Sequence, residues 1–107
     1  MKKMLLAVLV SATLPAFAAD MPEFKITIKD HKFEPAETRI PANQQVKLLV
    51  ENLDATPEEF EGEDFDVEKV IPGNSQAAIL VGPFEPGEYE FVGEFHQETA
   101  KGELIAE

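Results

Sequence analysis

Two histidines and a dense set of carboxylates are the side chains of this sequence best equipped for chemistry. His96 stands in Gly93-Glu94-Phe95-His96, with Glu94 two residues before it. In an extended segment, Glu94 and His96 project the same way. Glu59 and Glu61 share that spacing, so one strand face can present both carboxylates. Imidazole together with carboxylates suits Fe(II), Fe(III), Cu(II), Mn(II) or Zn(II), and on affinity alone Cu(II) binds tightest. His31, in Asp30-His31-Lys32, is either a second imidazole reaching the same site or a solvated turn residue. His96 taken alone also fits a histidine that caps a turn. Residues 58–68 carry seven carboxylates in eleven positions. Within them Glu63, Asp64, Asp66 and Glu68 form either an open, oxygen-rich site for a hard cation or a solvated acidic edge that discourages strand-to-strand aggregation.

What the chain lacks narrows the chemistry further. It has no cysteine, which removes the thiolate that blue-copper sites and thiolate zinc sites require. Of its methionines only Met21 lies beyond the N-terminal leader described below, so soft thioether binding of Cu(I) is not expected. No Ser-His-Asp or Cys-His set can be assembled, because Ser75 sits beside a Pro-Gly turn, and no catalytic residues are assigned.

The elements that position these groups have a period of two. Phe24, Ile26 and Ile28 alternate with Lys25, Thr27 and Lys29, the pattern of a strand with one wet face. Val46, Leu48 and Val50 alternate likewise, although Leu49 interrupts the polar side and implies a strand covered on both faces. Ala77, Ile79 and Val81 mark another strand, Tyr89, Phe91 and Gly93 a fourth, and Leu104 with Ala106 the last. Shorter strands are expected at Lys32-Phe33, at Thr38 to Ile40 and from Val67 to Ile71. Pro35, Pro41-Ala42-Asn43, 52–57, Pro72-Gly73-Asn74, Pro83 and Pro86-Gly87 read as turns between them. Seven to eight short strands with no amphipathic helix predict an all-β protein, two antiparallel sheets packed face to face.

The N-terminus predicts export. Lys2 and Lys3 precede the apolar run Met4 to Val10, and Ala16-Phe17-Ala18 places small side chains at a cleavage site. Residues 1–19 are expected to be a cleaved signal peptide and 20–107 a single domain acting in the periplasm, not a membrane-spanning protein. The chain carries 9 basic and 21 acidic residues; without Lys2 and Lys3 the balance is 7 against 21, a formal charge of −14. Such a domain repels nucleic acid and attracts cations or basic partners.

The order of these landmarks resembles the cupredoxin superfamily along essentially the whole expected domain. Phe33-Glu34-Pro35, Ile40-Pro41-Ala42-Asn43, Asn52-Leu53-Asp54, Pro72-Gly73, Pro86-Gly87 and the loop from His96 to Gly102 carry the resemblance. It implies a Greek-key β-sandwich. A type 1 copper member has His after its Asn-x-Asp turn, which falls here on Glu58 or Glu59. Its Cys, three residues before His96, is Gly93, and its Met position is Lys101. Blue-copper electron transfer is therefore rejected. Glu58-Glu59-Phe60-Glu61 and Gly93-Glu94-Phe95-His96-Gln97-Glu98-Thr99-Ala100-Lys101-Gly102 are similar to a narrower group, the cupredoxin-like domains of bacterial periplasmic iron transport. That resemblance implies iron or copper as the bound metal, held by His96, Glu59 and Glu94 with His31 and Glu61 as further donors. It also implies ferrous oxidation or delivery, and an inner-membrane iron permease or periplasmic metal-binding partner. The competing reading is a metal-free acidic module that docks a basic partner protein.

Overall fold

The computed structural model describes residues 21–107; the expected signal peptide lies outside the described residues. Nine strands are formed: β1 (Glu23–Lys29), β2 (Lys32–Glu34), β3 (Glu37–Ile40), β4 (Val46–Asn52), β5 (Glu58–Gly62), β6 (Val67–Ile71), β7 (Ser75–Val81), β8 (Gly87–Gly93) and β9 (Lys101–Ala106). They make two sheets, one in the order β2-β1-β4-β7 and the other β3-β9-β8-β5-β6. Most neighbours are antiparallel; β1 runs parallel to β4 and β3 parallel to β9. This is the all-β Greek-key sandwich expected, with one strand more than the seven to eight foreseen. The addition comes from the acidic segment, where Glu58–Gly62 pairs with both β6 and β8. Among the described residues no helix is long and apolar enough to cross a membrane.

Strict alternation sends one side of each strand into a single core. On β4, Val46, Leu48, Val50 and Asn52 are buried while Lys47, Leu49 and Glu51 are half-buried. Leu49 is thus not covered by a second layer. It pairs with Lys25 and Ala78 on an outer face where Lys25 bonds Glu51 at 2.9 Å and Lys47 approaches Glu23 at 3.7 Å. Inside, Phe33 packs edge-on to Phe60 and Phe91, with ring centroids 5.9 and 4.9 Å away, and Phe60 stacks on Phe91 at 4.7 Å. Gly102 lies over this cluster because a Cβ there would meet the Phe91 ring at 2.5 Å.

The two outer faces differ in charge. On the four-stranded sheet, lysines of β1, β2 and β4 roughly balance the glutamates. On the five-stranded sheet, Glu37, Glu103 and Glu90 stand directly opposite one another across β3, β9 and β8, and Glu61 faces Glu68 across β5 and β6. Like charges in directly opposed positions destabilise a sheet, so the aromatic core must offset them. Phe91→Ala should cost about 3–5 kcal/mol. Urea unfolding checks this: the midpoint falls while its steepness holds.

Candidate functional site at the loop end of the sandwich

The site is assembled from the loops where β1, β4 and β8 end and where β5 begins. Asn52, fully buried at the end of β4, sets the first part of it. Its Nδ2 donates to the carbonyls of Thr56, Ile71 and Pro72 at 2.9, 3.1 and 3.3 Å, and its Oδ1 accepts the N–H of Asp54 at 3.0 Å. Asp54 in turn accepts the backbone N–H groups of Asp30 and His31 at 2.8 and 3.0 Å. Those two residues make the tight turn between β1 and β2, both with positive φ, 54° and 60°. Burial works against ionisation of Asp54, but the N–H groups of His31 and Asp30 and the nearby imidazoles outweigh it and hold the carboxyl below the usual range. The turn is fastened from the other side by Thr99, whose hydroxyl donates to the His31 carbonyl at 2.6 Å.

His31 is thereby delivered to His96. Their rings stack with centroids 3.6 Å apart and planes 10° from parallel. His96 sits in a single 3-10 turn, Glu94–His96, which follows β8. Its carbonyl accepts the N–H groups of Thr99 and Ala100, and Gly93 N–H closes the loop on the Ala100 carbonyl at 2.8 Å.

Glu58 is the residue that fixes the His96 ring. Its side chain is 2 % exposed. One oxygen, Oε1, accepts N–H from Glu59 at 3.0 Å and from Phe95 at 2.9 Å; the other, Oε2, lies 2.7 Å from His96 Nδ1. A carboxylate only accepts, so the imidazole donates from Nδ1, and the neutral ring in this tautomer carries its lone pair on Nε2. A histidine whose one nitrogen is tied to a carboxylate in this way has its ring orientation fixed and its other nitrogen readied for a metal. Gly93 makes the room: a Cβ there would stand 2.6 Å from the Glu58 carboxyl carbon and 2.7 Å from the Ala100 Cβ.

The structure divides the expected ligands between two faces. His31 and His96 meet at the sandwich end, in a shallow pocket that Glu94, Phe95 and Glu98 also line. Glu59 and Glu61 do not share a face with the carboxylate that reaches His96. On β5, Glu58, Phe60 and Gly62 point inward, and Glu59 and Glu61 point to the outer face of the five-stranded sheet. There they meet Glu68, with carboxylate oxygens of all three within 4.8 Å of one another. Glu94 joins them by accepting a hydrogen bond from Glu61, and it also accepts from Gln97 Nε2 at 2.6 Å. The expected common direction of Glu94 and His96 is not formed, because 94–96 turns as a 3-10 helix and not as a strand. The acidic run is also broken up. Glu63 and Asp64 lie in a 3-10 turn, Asp66 takes a left-handed conformation, and only Glu68 returns to the carboxylates of β5.

Glu58 was the residue sequence reasoning passed over in favour of Glu59. The signal was the phase of β5: Phe60 must enter the core, and Glu58 shares its side of the strand.

The profile of the cupredoxin-like domain matches residues 2–106. The chain belongs to the cupredoxin-like domain family. It is 45% identical over 83 residues to an uncharacterized protein of Rickettsia prowazekii (strain Madrid E), a match that covers 78% of this chain and 66% of that relative's length. Its fold is similar to the metal-binding domain of the Cu(I)-exporting P-type ATPase of Streptococcus pneumoniae D39, crystallised with Cu(I), at a TM-score of 0.71 and 16% identity over 79% of this chain and 84% of that one. It is also similar to auracyanin A, a blue copper protein of Chloroflexus aurantiacus, at a TM-score of 0.65 and 14% identity over 79% of this chain and 98% of that one. These two likenesses show the fold. This cupredoxin-like domain does not fit a blue-copper centre, since the position expected for its thiolate is Gly93 and the space beside it holds the Glu58 carboxylate. Its donor set fits a metal bound through nitrogen and oxygen.

On the outer face, the hydrogen bond that the protonated Glu61 carboxyl donates to Glu94, followed by burial and the charges of Glu94, Glu68 and Glu59, raises Glu61 from its ordinary 4.5 to about 7. Glu59 is raised too, by burial and then by Glu68, Glu94 and Glu58. The folded protein therefore holds a proton on Glu61 over a range in which the unfolded chain has released it. That contribution to stability is fully present below pH 4.5 and is lost as pH rises through about 7. Glu61→Gln should flatten this slope, so that between pH 5 and 8 the urea midpoint of the variant falls less than that of the parent.

Proposed function

We propose that this cupredoxin-like protein binds a transition metal, iron or copper, outside the cytoplasm and serves iron uptake by delivering iron to an inner-membrane permease. The observation that carries the reading is the hydrogen bond from His96 Nδ1 to the buried Glu58 carboxylate, which leaves Nε2 as a donor of fixed direction beside the His31 ring. His96 and His31 would hold the metal, with Glu94 lining the same pocket. Glu59 and Glu61, with Glu68, offer a separate set of hard oxygen donors suited to an iron cargo. The signal-peptide pattern of residues 1–19 supports action in the periplasm. Two motifs support the iron-uptake assignment: Glu58-Glu59-Phe60-Glu61 and the loop Gly93 to Gly102. Delivery is favoured over ferrous oxidation, because oxidation needs an electron acceptor and the chain offers no thiolate to relay electrons.

Calorimetric titration of the metal-free protein with Cu(II), Zn(II), Mn(II) and anaerobic Fe(II) tests the reading. Binding tighter than ~100 µM is expected, a modest threshold even for oxygen-rich sites. His96→Ala should abolish imidazole-dependent Cu(II) binding, and Glu58→Gln should weaken it by about 10- to 100-fold, the usual effect of losing a ligand's hydrogen-bond partner. Binding that ignores both changes would move the site to Glu59, Glu61 and Glu68. The absence of any binding would leave a metal-free acidic domain and refute the proposal.

A further inference from the structure

Four strand edges bound the two sheets, and three of them are defended. β2 is three residues long and flanked by Lys32 and Glu34, β3 carries Glu37 and Arg39, and β6 carries Glu68 and Lys69. Short length and charged side chains are the usual means by which a sheet edge avoids pairing with another chain. The fourth edge has neither. β7 is seven residues long, Ser-Gln-Ala-Ala-Ile-Leu-Val, and lies inside a stretch from Val70 to Phe84 that carries no charge. Gln76, Ala78 and Leu80 point outward and are exposed, Leu80 by 53%. No proline or bulge interrupts the strand, which pairs with β4 in unbroken register.

We propose that β7 is a self-association edge, on which a second copy of this chain adds its own β7 antiparallel about a two-fold axis at Ala78. The two sheets would join into one of eight strands. Three observations favour a second copy over another occupant. The first is electrostatic: two chains of charge −14 repel over nearly every approach, and the uncharged β7 edge is where they can touch without opposing carboxylates. The carboxylate-bearing sheets then lie behind the contact and not within it. The second is register. With Ala78 opposite its own copy, Gln76 faces Leu80 of the second copy and Ala77 faces its Ile79, so no opposed pair brings charges together. The third is that the charges one strand further in are set with opposite sign on the two copies and do not repel. The β4–β7 pairing sets Lys47 beside Leu80 and Glu51 beside Gln76. Each joined row therefore carries Lys47 on the β4 of one copy and Glu51 on the β4 of the other. The inference is independent of the metal reading and uses none of its residues.

Sedimentation velocity of the purified protein from ~1 µM to ~1 mM tests it, a range spanning weak to moderate association. The expected result is a sedimentation coefficient that climbs with concentration and climbs sooner in high salt, where the long-range repulsion is screened. Ala78→Lys sets two ammonium groups face to face at the axis while leaving the exposed monomer surface intact, and should raise the dissociation constant roughly tenfold. Because the chain has no cysteine, Ala78→Cys gives a direct geometric readout. Opposed residues of an antiparallel pair are close enough for a disulfide, so this variant should cross-link under oxidised glutathione far faster than Thr27→Cys, whose site lies on β1. A single-chain mass throughout, association unchanged by Ala78→Lys, or equal cross-linking of the two cysteine variants would each overturn the proposal.

Discussion

A carboxylate buried at the end of a sandwich and left alone would be among the costliest groups a domain of this size could contain. Glu58 is tolerated because everything around it donates: two backbone N–H groups and one imidazole. The two bonds from Phe95 and His96 tie the start of β5 to the turn after β8, so the two halves of the loop end are registered through a single side chain. His96 is oriented by it, Gly93 is required by it, and the inward phase of β5 is anchored by it together with Phe60. On the other side of the pocket Asn52 does comparable work for the β4 end, and through Asp54 it reaches the turn that carries His31. The stacked imidazoles lie where these two networks meet.

The architecture was legible because it depends on alternation, which any window of the sequence displays. Ile26 and Ile28, Val46 to Val50 and Phe91 identify their strands without knowledge of their neighbours. The strand Glu58–Gly62 was obscured because the pattern there is carboxylate against carboxylate, with only Phe60 to set the phase. Leu49 misled for the opposite reason: an apolar side chain on an outer face reads as buried, although surfaces routinely carry such residues.

The site was legible in its members and not in its grouping. His96, His31, Glu94, Glu59 and Glu61 all lie near one end of the chain's fold or on its adjoining sheet face. Which of them meet depends on local backbone geometry that spacing alone does not contain. An i, i+2 relation means a shared direction in a strand and divergence in a 3-10 turn, and Glu94 and His96 fall in the turn. The stacking of His31 on His96 arises from the left-handed conformation of the β1–β2 turn, held by an aspartate 23 residues away in sequence.

The packing of Glu58 against Gly93 also makes the two positions interdependent. Neither position can change freely while the other stays as it is. A larger residue at 93, cysteine included, collides with the carboxylate. A smaller residue at 58 strands the His96 nitrogen and opens a void. Glu58 and Gly93 therefore behave as one packing unit, in which a change at either position leaves the pair overpacked or hollow unless the other changes with it.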